Sequence, residues 1–239
     1  MQVEKKHVLV LGGSSDIGIE VVKFFLSINW KVTAHYNRIK KELINIKKQT
    51  KDLNIVQFNL AKIDFNIERK LKEKFGKGYD SIINLIGYVD SKTYENTSYK
   101  NIIQTLSANT IFPFLIERMS IKKMLSKKWG RIVNCSSIGV KFGGGFNTYN
   151  YSLSKHSLEF IPSVYKKWAK KNVLINNLRI GVTNTKLHKK LKRNINKRIK
   201  LIPIGRMATP IEISHFIVEL ATEKNSFITG QTVDISGGE

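Results

Sequence analysis

The chain has 239 residues, one cysteine and a formal net charge of +23, with 41 Lys and Arg against 18 Asp and Glu. That length suits one α/β domain with a sizeable core and is short for two. No apolar run approaches the ~18 residues of a membrane span, nothing behind Met1 reads as a secretory leader, and a lone Cys135 excludes an internal disulfide and fits a reducing cytoplasm.

In chain order, the apolar run Val8–Leu11 predicts a strand, Gly12-Gly13-Ser14-Ser15 a tight turn, and the pattern from Ile17 through Val21, Val22, Phe25 and Leu26 a helix. Lys31–Tyr36 reads as a second strand and Lys40–Lys51 as a Lys-rich helix. Ile55–Phe58 is a third strand, Ile67–Phe75 a helix, and Ser81–Ile86 a fourth strand. A long helical stretch covers Ile102–Leu125, Arg131–Cys135 is a fifth strand, and Tyr151–Lys171 a second long helix. Leu174–Leu178 is a sixth strand, Pro210–Glu223 a helix, and Thr232–Ile235 a seventh strand. Strands alternating with helices predict an α/β fold: a single-domain, Rossmann-like, doubly wound parallel sheet of seven strands with helices on both faces, over residues 1–239. Residues 186–200 stand out, dense in Lys and Arg and almost free of acid.

Two patterns carry chemistry. A doubly wound sheet binds ligands beyond the carboxyl ends of its strands, and the first such end is Gly12 to Gly18. Glycines there let backbone approach a pyrophosphate, and the following helix offers it unpaired N–H groups. The second pattern is Tyr151-Ser152-Leu153-Ser154-Lys155, a Tyr and a Lys on one helix face, shortly after Ser136-Ser137. Tyrosine is a weak acid with an ordinary pKa of ~10, and a neighbouring ammonium lowers that value. Such a pair can exchange a proton with a carbonyl oxygen.

These residues, with Asn84-Leu85-Ile86-Gly87, Asn134-Cys135-Ser136-Ser137 and Arg179 to Thr185, resemble the motifs of the short-chain dehydrogenase/reductase family over nearly the whole chain. The 3-oxoacyl-acyl-carrier-protein reductase type is the most similar. Leu11 stands where the family has Thr, Asp16 where it has the middle Gly, and Ile180 where it has Pro. The resemblance implies Tyr151 as general acid/base, Lys155 as its electrostatic partner, Ser137 (with Ser136 as fallback) polarising the carbonyl, and Asn109 holding a water in the proton relay. The run Gly143–Gly145 absorbs a one-residue insertion before Tyr151, and Cys135 reads as a small core residue.

For the cofactor, the resemblance implies contacts from Gly12, Ser14, Ser15, Asp16, Ile17 and Gly18. Further contacts would come from Tyr36, Asn37 and Arg38 after the second strand, Asn59 and Leu60 after the third, and Asn84 and Gly87 after the fourth. Tyr151, Lys155, Gly181, Thr183 and Thr185 complete the set. Asp16 is expected to stabilise the helix start with its side chain. No acid stands at the end of the second strand to hold ribose hydroxyls, and Arg38 can pair with a 2′-phosphate, so NADPH is preferred over NADH.

The segment after Thr185 is the family's substrate lid. Lys186, His188, Lys189, Lys190, Lys192, Arg193, Lys197, Arg198 and Lys200 make it cationic and favour an anionic substrate. A β-ketoacyl thioester on acyl carrier protein fits, with Lys128 and Lys171 near the ends of the two long helices as docking candidates. An anionic sugar or nucleotide-sugar intermediate of polysaccharide synthesis is the alternative. A nucleic-acid binder would explain the charge, but the chain lacks zinc spacing, a helix-turn-helix and an aromatic-plus-basic sheet motif. A non-catalytic NADP-binding protein is the remaining alternative, opposed by the intact Ser, Tyr, Lys and Asn. No metal is expected. Assembly as a cytoplasmic homotetramer is implied by the family.

Overall fold

Parallel strands buried on both faces need apolar residues at successive positions, and Val8, Leu9, Val10 and Leu11 are all fully buried. In the computed structural model, which describes residues 4–38, 40–62, 64, 66–186 and 194–239, they form the central strand β1 (His7–Leu11). The described residues make a seven-stranded parallel sheet: β1, β2 (Lys31–Tyr36), β3 (Leu53–Gln57), β4 (Ser81–Asn84), β5 (Gly130–Ser137), β6 (Val173–Ile180) and β7 (Thr232–Ile235). Their order is β3-β2-β1-β4-β5-β6-β7. The order reverses between β1 and β4, and that switch point opens a crevice at the carboxyl ends of the strands.

Alternate side chains of each strand feed two cores. On one face Val8, Val10, Ile83, Val133 and Leu178 pack against helix α1 (Asp16–Ser27) and a late helix, Pro210–Ala221. On the other, Leu9, Leu11, Ile82, Ile132 and Ile175 pack with Leu71 and Phe75 of Ile67–Phe75 and Phe112 and Ile116 of Phe112–Lys127. Among the described residues the remaining α-helices are α2 (Lys41–Gln49), α3 (Ile67–Phe75), α4 (Tyr99–Leu106), α5 (Phe112–Lys127), α6 (Tyr149–Leu158), α7 (Tyr165–Ala169), α8 (Ile195–Ile199) and α9 (Pro210–Ala221).

Three predicted elements differ. The long helix over Ile102–Leu125 is α4 and α5 joined by a π turn, Ser107–Ile111, in which the Phe112 N–H bonds the Ser107 carbonyl. The helix over Tyr151–Lys171 is broken into α6 and α7. Pro162 has no N–H to donate and disfavours helical backbone at Ile161, so the chain leaves α6 at Glu159 and re-enters a helix at Tyr165. The fourth strand stops at Asn84, whose side-chain oxygen accepts the Ile86 N–H at 3.1 Å and turns the chain. His188, Lys189, Lys190, Lys192 and Arg193 of the basic segment lie outside the described residues. No helix among the described residues is long and apolar enough to cross a membrane.

Candidate active site

The crevice is a cavity of about 1250 Å³. Ser15, Asp16, Ile17, Gly87, Ser137, Tyr151, Lys155, Gly181, Thr183 and Thr185 all line it, so the segments after four strands, β1, β4, β5 and β6, deliver the predicted residues to one space.

At the β1–α1 turn, Gly12 has φ +82°, and a Cβ there would meet the Leu85 carbonyl oxygen at 2.9 Å. Both facts require glycine. Ser15, not Asp16, is the N-cap of α1: its Oγ accepts the Gly18 N–H at 2.9 Å. The Asp16 and Ile17 N–H groups make no hydrogen bond within the described residues, and both residues line the cavity. A helix N-terminus with unpaired N–H groups suits a phosphate, so these residues fit a dinucleotide.

Asp16 departs from the expected role. Its carboxylate accepts from the Lys40 ammonium at 2.7 Å and from the Lys186 backbone N–H at 2.8 Å. Burial opposes ionisation, but these two donors hold the carboxyl below its usual range. The acid beside the glycine turn is therefore neutralised by Lys40, a residue the sequence offered only as the start of a helix.

The adenosine-side candidates lie beyond the cavity walls. Tyr36 is half-buried against the core. Asn37 and Arg38 are exposed, and the Arg38 carbonyl accepts the Ser14 hydroxyl at 3.1 Å. Asn59 is exposed and its side chain caps the Ala61 N–H. The Leu60 and Asn84 side chains are buried, so only backbone at those positions can face a ligand. Sequence reading also missed His35. Its Nδ1 accepts the Gly12 N–H at 3.2 Å, and its Nε2 lies 2.9 Å from the Phe58 carbonyl. Accepting at Nδ1 leaves the proton on Nε2. Burial pushes this imidazole down to about 4.

Lys155 is buried and donates to the Ile86 carbonyl at 2.6 Å and the Cys135 carbonyl at 2.5 Å. Burial pushes its ammonium down to about 8. Its Nζ lies 5.8 Å from the centre of the Tyr151 ring, and a Cβ at Gly87 would come within 4.0 Å of that ring's Cε2. The two adjacent serines part company. Ser136 is buried and donates to the Glu159 carboxylate at 2.7 Å, while Glu159 holds Arg179 through two bonds of 2.8 and 2.7 Å. Ser137 is half-buried and its Oγ accepts the Gly139 N–H at 3.2 Å, which leaves its O–H directed by whatever enters the cavity. Gly143 and Gly144 take left-handed backbone on the way to α6.

Asn109 sits in the π turn, fully buried. Its oxygen accepts the Tyr88 N–H at 2.8 Å, and its amide donates to the Tyr88 carbonyl at 2.9 Å and Ser154 at 2.8 Å. Both amide protons are committed, so the side chain braces α6 against the segment after β4. Gly181 is fixed by packing: a Cβ would meet the Ser236 Cα at 2.6 Å. Cys135 is buried on the same face of β5 as Val133, packed with Leu178, and burial pushes its thiol up to about 12, which suits a core residue.

Tyr, Lys and Ser gathered around a crevice that fits a dinucleotide define an oxidoreductase acting between CH–OH and C=O groups. Residues 13–239 match a family model described as enoyl-(acyl carrier protein) reductase. A 3-oxoacyl-(acyl-carrier-protein) reductase FabG of Aquifex aeolicus (strain VF5) is 34% identical over 163 residues, which span 67% of this chain and 65% of that protein. An acetoacetyl-CoA reductase of Acinetobacter sp. (strain RA3849) is 29% identical over 244 residues, 98% of each chain. A solved short chain dehydrogenase/reductase family protein superposes with a TM-score of 0.85 at 22% identity, covering 100% of this chain and 98% of that one. The chain belongs to the short-chain dehydrogenase/reductase family.

Proposed function

We propose that the protein is an NADPH-dependent carbonyl reductase whose substrate is a β-ketoacyl thioester carried on acyl carrier protein. The observation that carries this reading is that Ser137, Tyr151 and Lys155 share one cavity wall while Phe142, Phe146 and Leu201 line the same cavity and Lys186, Lys197 and Arg198 its basic part. An apolar wall suits an acyl chain, and cations suit a phosphorylated, acidic carrier.

NADPH, when bound, would supply the hydride for the carbonyl carbon. The Ser137 hydroxyl donates to the carbonyl oxygen, and Tyr151 delivers the proton that makes it an alcohol. Lys155 stabilises the phenolate left behind, and its lowered affinity for its own proton makes it a fit relay partner near neutral pH. The Asp16 and Ile17 N–H groups would hold a phosphate of the cofactor. The family model bears an enoyl reductase's description, but two relatives are named for oxoacyl and acetoacetyl substrates, and a hydroxyl pair suits a carbonyl oxygen.

Preference for NADPH is supported by the absence of acid at Tyr36, Asn37 and Arg38 and by the cation Arg38. A lid role for the basic segment 186–200 is supported by its described residues Lys186, Asn194, Lys197 and Arg198, which line the cavity. Lys128 and Lys171 precede β5 and β6, at the opposite edge of the sheet from the cavity, about 25 Å away for strands of this length. The basic rim, not this pair, supports carrier delivery to the chain's own site. A cytoplasmic homotetramer belongs to the same reading, supported by exposed Ile111, Phe114, Leu153, Phe160 and Val164 around α5 and α6.

The test is turnover of a β-ketoacyl-acyl-carrier-protein with NADPH and with NADH, followed by cofactor absorbance. The expected result is reduction with NADPH favoured by about tenfold or more. Inertness toward oxoacyl thioesters with turnover of an acidic sugar would favour the polysaccharide alternative. A preference for NADH would remove the cofactor assignment.

A further inference from the structure

Helix α5 carries a carboxyl group that the chemistry above does not use. Glu117 is buried against the sheet, makes no ion pair among the described residues, and hydrogen-bonds with Asn134 of β5. Asn134 is itself buried, and Asn84 of β4 stands beside it in register. The two atoms left without partners in this contact are Glu117 Oε1 and Asn134 Oδ1. Both are acceptors if the carboxyl is ionised. An ionised carboxylate with no cation in a buried site is strongly disfavoured, and so are buried acceptors left without a donor.

One proton resolves both problems. We propose that Glu117 is carried as a neutral carboxylic acid, donating from Oε1 to the Asn134 side-chain oxygen while the Asn134 amide donates back, and that this closed pair positions Lys155. Burial supports the neutral form, pushing the Glu117 carboxyl up to about 8.

The link to Lys155 runs through backbone. Asn134 is followed by Cys135, whose carbonyl accepts from Lys155. Asn84 holds the Ile86 N–H, and the Ile86 carbonyl is the other acceptor for Lys155. The same α5 begins at the π turn that holds Asn109. Glu117 therefore ties the strand end beneath the ammonium to the helix that follows the π turn of Asn109. It touches neither substrate nor cofactor and is a positioning residue.

The kinetic part of this inference rests on the carbonyl-reductase reading; the protonation part does not. Infrared difference spectra of wild-type protein against Glu117→Gln, in water and deuterium oxide at neutral pH, should show the carbonyl stretch of one protonated carboxylic acid. A carboxylate band alone overturns the proposal whatever the substrate proves to be. Per folded active site, Glu117→Gln, which keeps a two-bond amide pair, should retain kcat within about twofold, and Glu117→Leu should lose about tenfold or more with the KM for NADPH held. Glu117→Leu with wild-type kcat would overturn the positioning role. If that variant does not fold, a tenfold loss of kcat in folded Glu117→Gln does so instead, and retained kcat with the acid band supports it.

Discussion

Lys40 places its ammonium 2.7 Å from the carboxylate of Asp16. Asp16 stands where related glycine turns have a glycine, beside the N–H groups that suit a phosphate, and an unneutralised acid there would repel one. Lys40→Ala should therefore weaken NADPH binding by about tenfold, and Asp16→Asn combined with it should restore most of the loss. Calorimetric titration of the four proteins of the cycle is the check. Additive losses would mean that the pair does not act as one.

The parting of the two serines predicts unequal mutants. Ser137→Ala and Tyr151→Phe should each lower kcat by about 10²- to 10⁴-fold with NADPH affinity little changed. Ser136→Ala should mainly lower stability, because that hydroxyl is spent on Glu159. A larger kcat loss in Ser136→Ala than in Ser137→Ala would reverse the assignment.

Glu159 and Arg179 form a bidentate pair in which the Glu159 side chain is only 9% exposed and Arg179 is 25% exposed. Removing one partner strands the other. Arg179→Met should cost about 2 kcal/mol, less than a fully buried pair because water reaches the guanidinium. Replacing both with Leu should recover most of it. Urea unfolding of the single and double variants measures this, and equal destabilisation in both would argue against a stranded charge.

Acid should loosen the fold through His35. Its folded-state value of about 4 lies below the ordinary 6.5, so the unfolded chain binds more protons between those values. Stability is thus full above pH 6.5 and falls as pH drops toward about 4, by on the order of 3 kcal/mol from this residue. His7, pushed down to about 4 by burial and by Lys123, adds in the same direction. His35→Gln should flatten part of the acid limb of a melting-temperature profile. A limb unchanged from wild type would show that His35 is not its source.

Strand runs, the glycine turn and the Tyr151-x-x-x-Lys155 spacing were legible because each depends on residues close in the chain. A parallel strand must be apolar along its length, and a helix puts residues four apart on one face. Pro162 marked the break between α6 and α7 just as locally, but the apolar periodicity across it suggested one helix, and the proline decided because its missing N–H removes a helical bond.

What only the tertiary structure decided are contacts between residues distant in sequence. That Ser136 faces Glu159 and Ser137 the cavity follows from strand alternation plus a partner twenty-three residues away. That Asp16 is neutralised depends on Lys40 and on the Lys186 backbone, 170 residues on. That Lys155 rests on two carbonyls, and that Glu117 meets Asn134, follows from packing helices on the sheet. The sequence determined which groups are present and on which elements. Burial, which removes water and forces each polar group to find a partner, determined which of them act together.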